Sequence, residues 1–154
     1  MKYVFDIETD GFLNQCTKVH CIVLKDIDTN EILKLRNLEA ITKLEQADLI
    51  IGHNIIKFDI PVLEKFYNFK PKGKVFDTIV ATRLLYPDVK ERDFKRQGFP
   101  TNCIGRHSLK AWGYRVGEYK EAFDTDWKEY SPEMLDYCIQ DVEVTDTLYK
   151  TIER

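Results

Sequence analysis

The sequence predicts a mixed α/β domain: an antiparallel three-strand meander continued by parallel strands, with helices on the faces of the sheet. Three observations predict it. Residues 2–7, 19–25 and 31–36 are β-type runs, and the polar Asp26-Ile-Asp-Thr-Asn30 between the last two is turn chemistry, so the three form a meander. From residue 38 onward helical and strand-like patterns alternate, the order expected of strands joined by helical crossovers. Hydrophobic residues make up 44% of the 154, enough for the core of a single domain over 1–154, and no repeat, linker or low-complexity stretch interrupts it.

Each element has its own signal. Residues 2–7 form a strand with a buried face. Leu38, Ile41, Leu44 and Ala47 follow helical spacing with charges between them. Asp48-Leu-Ile-Ile-Gly52 is a short apolar run closed by glycine, a buried strand. Ile60, Val62, Leu63, Phe66 and Tyr67 mark a helix whose first turn carries Asp59 and Pro61, and proline is tolerated there. Residues 74–78 predict a fifth strand, and 79–86 a helix stopped by Pro87. Residues 88–106 mix charges with Gly98 and Pro100, show no period, and read as a surface excursion or mobile lid. Ser108 caps a short helix expected to end near Gly113. Ser131-Pro-Glu-Met opens the last helix with a serine cap and proline in the first turn, and Tyr137, Cys138, Val142, Thr145 and Leu148 continue it.

Bulk properties narrow the function. No apolar run is long enough to span a bilayer, and the chain enters a strand directly, so neither a membrane partner nor a signal peptide is expected. Cys16, Cys21, Cys103 and Cys138 lack C-x-x-C spacing and zinc-type histidine pairing, which points to free thiols in a reducing, intracellular protein. A net charge of −3 argues against a protein that coats duplexes. It leaves room for an enzyme that grips a few nucleotides through metals.

Four acidic residues in three separated contexts carry the chemistry. Asp6 and Glu8 lie two apart in a strand and project from one face; Tyr137 and Asp141 lie four apart in a helix and share a face; Asp59 precedes a helix. Each alone reads as a solvated or capping acid. Gathered together they would repel, and each buried polar group left without a partner costs about 1–3 kcal/mol, more for a charge. Hard divalent cations with oxygen ligands resolve that conflict.

These contexts are also recognisable. Phe5-Asp-Ile-Glu-Thr-Asp-Gly11, His53-Asn-Ile-Ile-Lys-Phe-Asp59 and Tyr137-Cys-Ile-Gln-Asp141 resemble, in order, the three sequence blocks of the DEDD (DnaQ-like) 3′–5′ exonucleases. Tyr137 matches the subclass with tyrosine, rather than histidine, four before the last acid. Asp77-Thr78 and 108–117 are most similar to the proofreading domain of phage-type family A DNA polymerases, and the resemblance spans essentially the whole chain.

The resemblance implies an RNase H-like fold and two divalent cations, Mg²⁺ or Mn²⁺. Asp6, Glu8 and Asp141 would hold the tighter ion, with Asp6 bridging to the second and Asp59 anchoring the site directly or through water. Ions roughly 3.5–4 Å apart activate a water and stabilise a leaving 3′-oxygen. Tyr137 would orient the water, because a neutral phenol of ordinary pKa about 10 is a poor base at pH 7. Thr9 and Asn54 fall where the family contacts the terminal nucleotide. Phe12 falls where it wedges the last base, against an even alternative of core packing.

Asp77 reads as a helix cap or supporting acceptor rather than a ligand. His20, His53 and His107 read as structural, or near the substrate in the case of the last two. Lys57, Lys74, Arg83 and Arg106 are candidates for phosphate contacts against a default of solvated surface, and Trp112 and Trp127 read as packing residues.

The expected activity is release of 5′-mononucleotides from single-stranded 3′ ends of DNA, in proofreading or degradation, in the cytoplasm of a bacterium or phage-infected cell. The chain ends at Arg154 with no room for a polymerase module, so the expected form is an isolated domain or a free-standing exonuclease, with a separately encoded DNA polymerase as a partner. An RNA-trimming exonuclease of the same fold and a non-catalytic polymerase-associated binding module are the competing readings. The intact acidic set weighs against the last.

Overall fold

The computed structural model describes residues 1–118 and 126–153. Strands β1 (Lys2–Thr9), β2 (Val19–Asp26) and β3 (Ile32–Leu35) form the expected meander, and β4 (Leu49–Gly52) and β5 (Lys74–Asp77) extend it on the other side of β1. The sheet order is β3-β2-β1-β4-β5. β1 pairs antiparallel with β2 and parallel with β4, and β4 pairs parallel with β5. The turn after β2 closes by side-chain chemistry: the Asp26 carboxylate accepts the backbone N–H groups of Asp28 (2.9 Å) and Thr29 (3.2 Å).

Two apolar layers sandwich the sheet. On one face Tyr3, Phe5 and Ile7 of β1 pack against Ala40, Ile41 and Leu44 of α1 (Asn37–Gln46) and Val62 and Leu63 of α2 (Ile60–Tyr67). On the other, Val4, Val23 and Ile51 meet Cys138, Val142 and Tyr149 of α6 (Pro132–Glu153). A buried Lys25 on β2 reaches α6 as well, donating to Asp146 and Glu143 at 2.8 Å each. Burial alone would lower the Lys25 pKa; its two carboxylate partners raise it above the ordinary lysine value.

Beside α6 lie α3 (Thr78–Leu85), α4 (Val89–Phe94) and α5 (Leu109–Val116), the last two joined to it by a cluster of Val89, Trp112 and Leu148. Three local expectations change. Residues 88–106 are not a featureless excursion: they contain α4 and a 3₁₀ turn at Thr101–Cys103, tied down by a buried ion pair between Asp93 and Arg115. The helix opened by Ser108, whose Oγ accepts the Ala111 N–H at 3.2 Å, runs through Gly113 and ends at Gly117 in the left-handed conformation. Gly113 serves close packing instead, since a Cβ there would stand 2.6 Å from the Glu118 carbonyl oxygen. The helix expected at Asp59 is preceded by a π-helical turn, Ile55–Asp59. Such turns concentrate at functional sites because they re-aim side chains by one position.

Candidate active site

Strand alternation sends Asp6 and Glu8 to the α6 face, because Phe5 and Ile7 are committed to the opposite core. The pairing of β1 with β2 then slips between Glu8 and Thr9. A bulge there turns the chain out of the sheet beside the carboxylates. From the parallel neighbour β4, the chain passes through His53 and a left-handed Asn54 into the π-helical turn that ends at Asp59. All of this lies at the carboxyl ends of the parallel strands, where open α/β sheets characteristically bind ligands.

Asp6, Glu8, Asp59, Tyr137 and Asp141 line one cleft of about 280 Å³. The five residues expected to act together are brought together. Asp59 accepts a hydrogen bond from the Ile7 backbone, yet its Oδ2 is buried without a hydrogen-bond partner. Burial, and then the charges of Asp77 and Asp141, push its carboxyl well above the ordinary range despite the Ile7 bond. An oxygen-rich set with a buried, unpartnered carboxylate oxygen fits a hard divalent cation. The residues present therefore suit the metal that the family implies.

One member of this cluster was not foreseen. Cys138, adjacent to Tyr137 on α6, donates from Sγ to the Asp6 carbonyl (3.4 Å) and to Asp6 Oδ2 (3.5 Å). Its Sγ lies with carboxylate oxygens of Asp6 and Glu8 inside a 4.8 Å circle. Burial raises the thiol well above its ordinary pKa, so it acts as a hydrogen-bond donor that orients Asp6 rather than as a thiolate ligand. The signal was a cysteine on the apolar face of the helix, which by itself says only that the residue is buried.

Asp77 does what its position at a helix start predicts, and more. It caps α3 through the Ile79 N–H (3.0 Å) and accepts the backbone N–H groups of Asn54 (2.8 Å) and Ile56 (3.0 Å), fixing the loop that delivers Asp59. His53 lines the acidic cleft and is also tied to the frame, with Nδ1 2.7 Å from Thr78 Oγ1 and Nε2 2.8 Å from the His107 carbonyl oxygen. Thr9 holds the turn after β1, its hydroxyl donating to the Gly11 carbonyl at 2.7 Å. Lys57, Lys74, Arg83 and Arg106 are exposed, and the last two flank a separate cleft of about 400 Å³.

A second cleft of about 590 Å³ opens beside the carboxylates and shares Ile7, Glu8, Asn54, Phe58 and Trp127 with the first. Phe12 stands over it with 76% of its surface exposed, which excludes the core-packing alternative. Trp127, read from the sequence as a packing residue, lines both clefts instead. Trp112 is a packing residue, buried beside Val89 and Leu148.

A five-strand mixed sheet of this order, with acids near the carboxyl end of the central strand β1 and on the closing helix, is the architecture of the DnaQ-like nucleases, an RNase H-like fold. The 3′–5′ exonuclease family of family A DNA polymerases matches residues 5–154, and the chain belongs to that family. It is 32% identical to the DNA-directed DNA polymerase of Escherichia phage T7, over an alignment covering 97% of this chain and 26% of the relative. The same figures hold for the DNA-directed DNA polymerase of Enterobacteria phage T3. The chain thus spans about a quarter of the length of the curated relatives it matches. Among solved structures, Brucella melitensis NrnC bound to pGG superposes with a TM-score of 0.71 at 20% identity, over 99% of this chain and 71% of that one. The family B DNA polymerase of Pyrobaculum calidifontis superposes with a TM-score of 0.67 at 15% identity, over 98% and 24%. These two likenesses concern the fold. Among the described residues, no helix is long and apolar enough to cross a membrane.

Proposed function

We propose that this domain hydrolyses single-stranded DNA from its 3′ end, releasing 5′-mononucleotides with the aid of two divalent cations, Mg²⁺ or Mn²⁺. The observation that carries the reading is the direct junction of the two clefts: an acidic one that fits cations and, beside it, an aromatic one wide enough for a nucleobase.

Asp6, Glu8, Asp59 and Asp141 would hold the ions. Bound there, divalent cations lower the pKa of water and neutralise charge on the departing 3′-oxygen. The protein's own part is placement. Cys138 orients Asp6, and Asp77 fixes the loop before Asp59. Tyr137, one helical turn before Asp141, orients the attacking water. Phe12 stacks on the terminal base and Asn54 contacts its nucleoside. The partner we propose is a DNA polymerase, in proofreading, in the cytoplasm of a bacterium or an infected cell.

The test is digestion of a 5′-labelled single-stranded DNA with and without Mn²⁺, beside an RNA of the same sequence and a 3′-blocked DNA. A metal-dependent ladder shrinking from the 3′ end of the DNA alone is expected, and the Asp6→Ala/Glu8→Ala double variant should fold and produce none. Equal cleavage of the blocked DNA would replace the exonuclease with an endonuclease. Preferential cleavage of the RNA would favour an RNA-trimming role.

A further inference from the structure

Trp127 has features that packing does not explain. Its counterpart Trp112 is 5% exposed, whereas Trp127 leaves 36% of its surface in solvent at the rim where the two clefts meet. It is nevertheless held in place. His20 Nε2 on β2 donates to its carbonyl oxygen at 2.7 Å, and its indole stands edge-on to the Tyr137 ring, with centroids 5.9 Å apart and planes at 81°. An exposed indole with an anchored backbone is a surface prepared for a ligand rather than a residue seeking a core.

The lining of the larger cleft says which ligand. Phe12, Phe58 and Trp127 supply three aromatic rings, and Asn54 and Gln15 supply amides. The charged residues there are Glu8 and Asp10, both acidic, and no lysine or arginine is among the described lining residues. Such a cleft repels phosphate and accepts a flat, uncharged π surface with polar edges. A nucleobase has that chemistry.

We propose that Trp127 forms one wall of a nucleobase-stacking subsite and that, through its edge contact with Tyr137, it couples the presence of a base to the position of the Tyr137 phenol. Trp127 is thus a substrate-binding residue and a positioning residue for Tyr137. The proposal rests on the reading of the acidic cleft as the place where a terminal nucleotide is cut, and it assigns a role that the three sequence blocks do not contain.

The experiment uses the indole as its own reporter, with Ca²⁺ in place of Mn²⁺ to limit turnover. Tryptophan emission is recorded on titration with a single-stranded oligonucleotide and with the same oligonucleotide carrying a 3′-terminal abasic site. Trp112→Phe leaves Trp127 as the sole tryptophan; the difference between wild type and Trp127→Phe gives the same signal without altering the core. Quenching by the complete oligonucleotide and little change with the abasic one is expected.

In hydrolysis, Trp127→Ala should raise KM about tenfold, as loss of one base–aromatic stack implies, and should lower kcat as well, while Trp127→Phe recovers most of both. The kcat losses of Trp127→Ala and Tyr137→Phe should combine less than additively, because one acts through the other. Parental KM and kcat in Trp127→Ala, or equal quenching by the two oligonucleotides, would overturn the proposal while leaving the exonuclease reading intact. Base-dependent quenching in a protein that hydrolyses nothing would support the subsite and overturn the nuclease. Neither hydrolysis nor quenching would overturn both.

Discussion

Asp93→Ala should be among the most destabilising single substitutions outside the apolar core. The Asp93 carboxylate accepts Arg115 Nε at 2.9 Å and Nη2 at 2.6 Å, and the Gly105 N–H at 2.9 Å; the two ionic side chains are 0% and 1% exposed. Arg115 is enclosed further by Trp112 and Phe99, whose ring centroids lie 4.5 Å and 5.3 Å from its Cζ. Its Nη1 is buried without a hydrogen-bond partner. Removing Asp93 strands a guanidinium that cannot reach water, and breaking such a buried pair costs about 3–5 kcal/mol. For a chain of this size that is roughly 10 °C in Tm.

The double variant Asp93→Ala/Arg115→Met is the informative one. It removes both charges and leaves an apolar site, so it should be more stable than Asp93→Ala alone, and the cycle should return a coupling of several kcal/mol. Urea unfolding followed by tryptophan emission measures both, since Trp112 sits against the pair.

The pair also sets a pH signature. Burial alone would raise the Asp93 carboxyl; the Arg115 bonds and the Gly105 N–H carry it below the ordinary value instead. A carboxylate whose folded pKa is depressed contributes stability above its unfolded pKa, about 3.9, and loses it as pH falls through the folded value. The gap between wild type and Asp93→Ala should therefore be flat at neutral pH and narrow below about pH 4. A deficit under 1 kcal/mol, or strict additivity in the cycle, would refute the claim that this pair fastens α4 to α5.

Three further substitutions have expected outcomes. Asp59→Asn should stabilise the metal-free protein at pH 7 by about 1 kcal/mol or more, because the raised Asp59 pKa makes apo stability fall as pH rises above the unfolded value of about 4; thermal melts in EDTA at pH 5 and pH 8 check the slope. The same variant should lose most of the rise in Tm that saturating Mn²⁺ confers on wild type, about 2.7 kcal/mol at a hundred times Kd for a single site. Tyr137→Phe should lower kcat about tenfold or more with metal-induced stabilisation unchanged, as misplacement of a water without loss of a ligand requires; single-turnover kinetics beside a Mn²⁺ melt separate the two. Gly73→Ala should destabilise by about 1–3 kcal/mol, since a Cβ there would press into the backbone carbonyls of Ala47 and Asp48; a urea midpoint unchanged from wild type would contradict it.

What was legible in the sequence follows a physical division. Strands β1 to β5 and the last helix were legible because period and caps are local properties, while the grouping of Asp6, Glu8, Asp59, Tyr137 and Asp141 was legible through the resemblance of three sequence blocks to a known family. The ion pair that organises residues 88–106 was not. Asp93 and Arg115 lie 22 positions apart and look like any surface charges until the fold closes over them. Gly113 misled for a related reason: a glycine near the end of a helical run signals a stop, but here the need was close approach to the Glu118 backbone. Trp127 escaped because an aromatic between Asp126 and Lys128 has no period to place it, and only the tertiary structure sets it against Tyr137.

Beside Asp26 and Asp77, which backbone N–H groups satisfy, Asp93, Asp146 and Asp59 are buried acids of two kinds, and the difference separates architecture from function. Asp93 is met by Arg115, and Asp146 by Lys25 and Lys150 at 2.8 and 2.9 Å. In each case a protein cation resolves the charge that burial would otherwise oppose. Asp59 is buried as completely, but the charged groups that shift it are Asp77 and Asp141, both of its own sign. A fold able to pair two buried aspartates with internal cations, yet surrounding a third with carboxylates, leaves a site whose charge is completed from outside. Mg²⁺ or Mn²⁺, the ions proposed for this site, would complete it with the oxygen ligands such ions prefer. The test of this logic is a substitution that supplies the charge internally: Asp59→Lys should raise apo stability less than Asp59→Asn, because a lysine fits the volume poorly, while abolishing metal-induced stabilisation altogether.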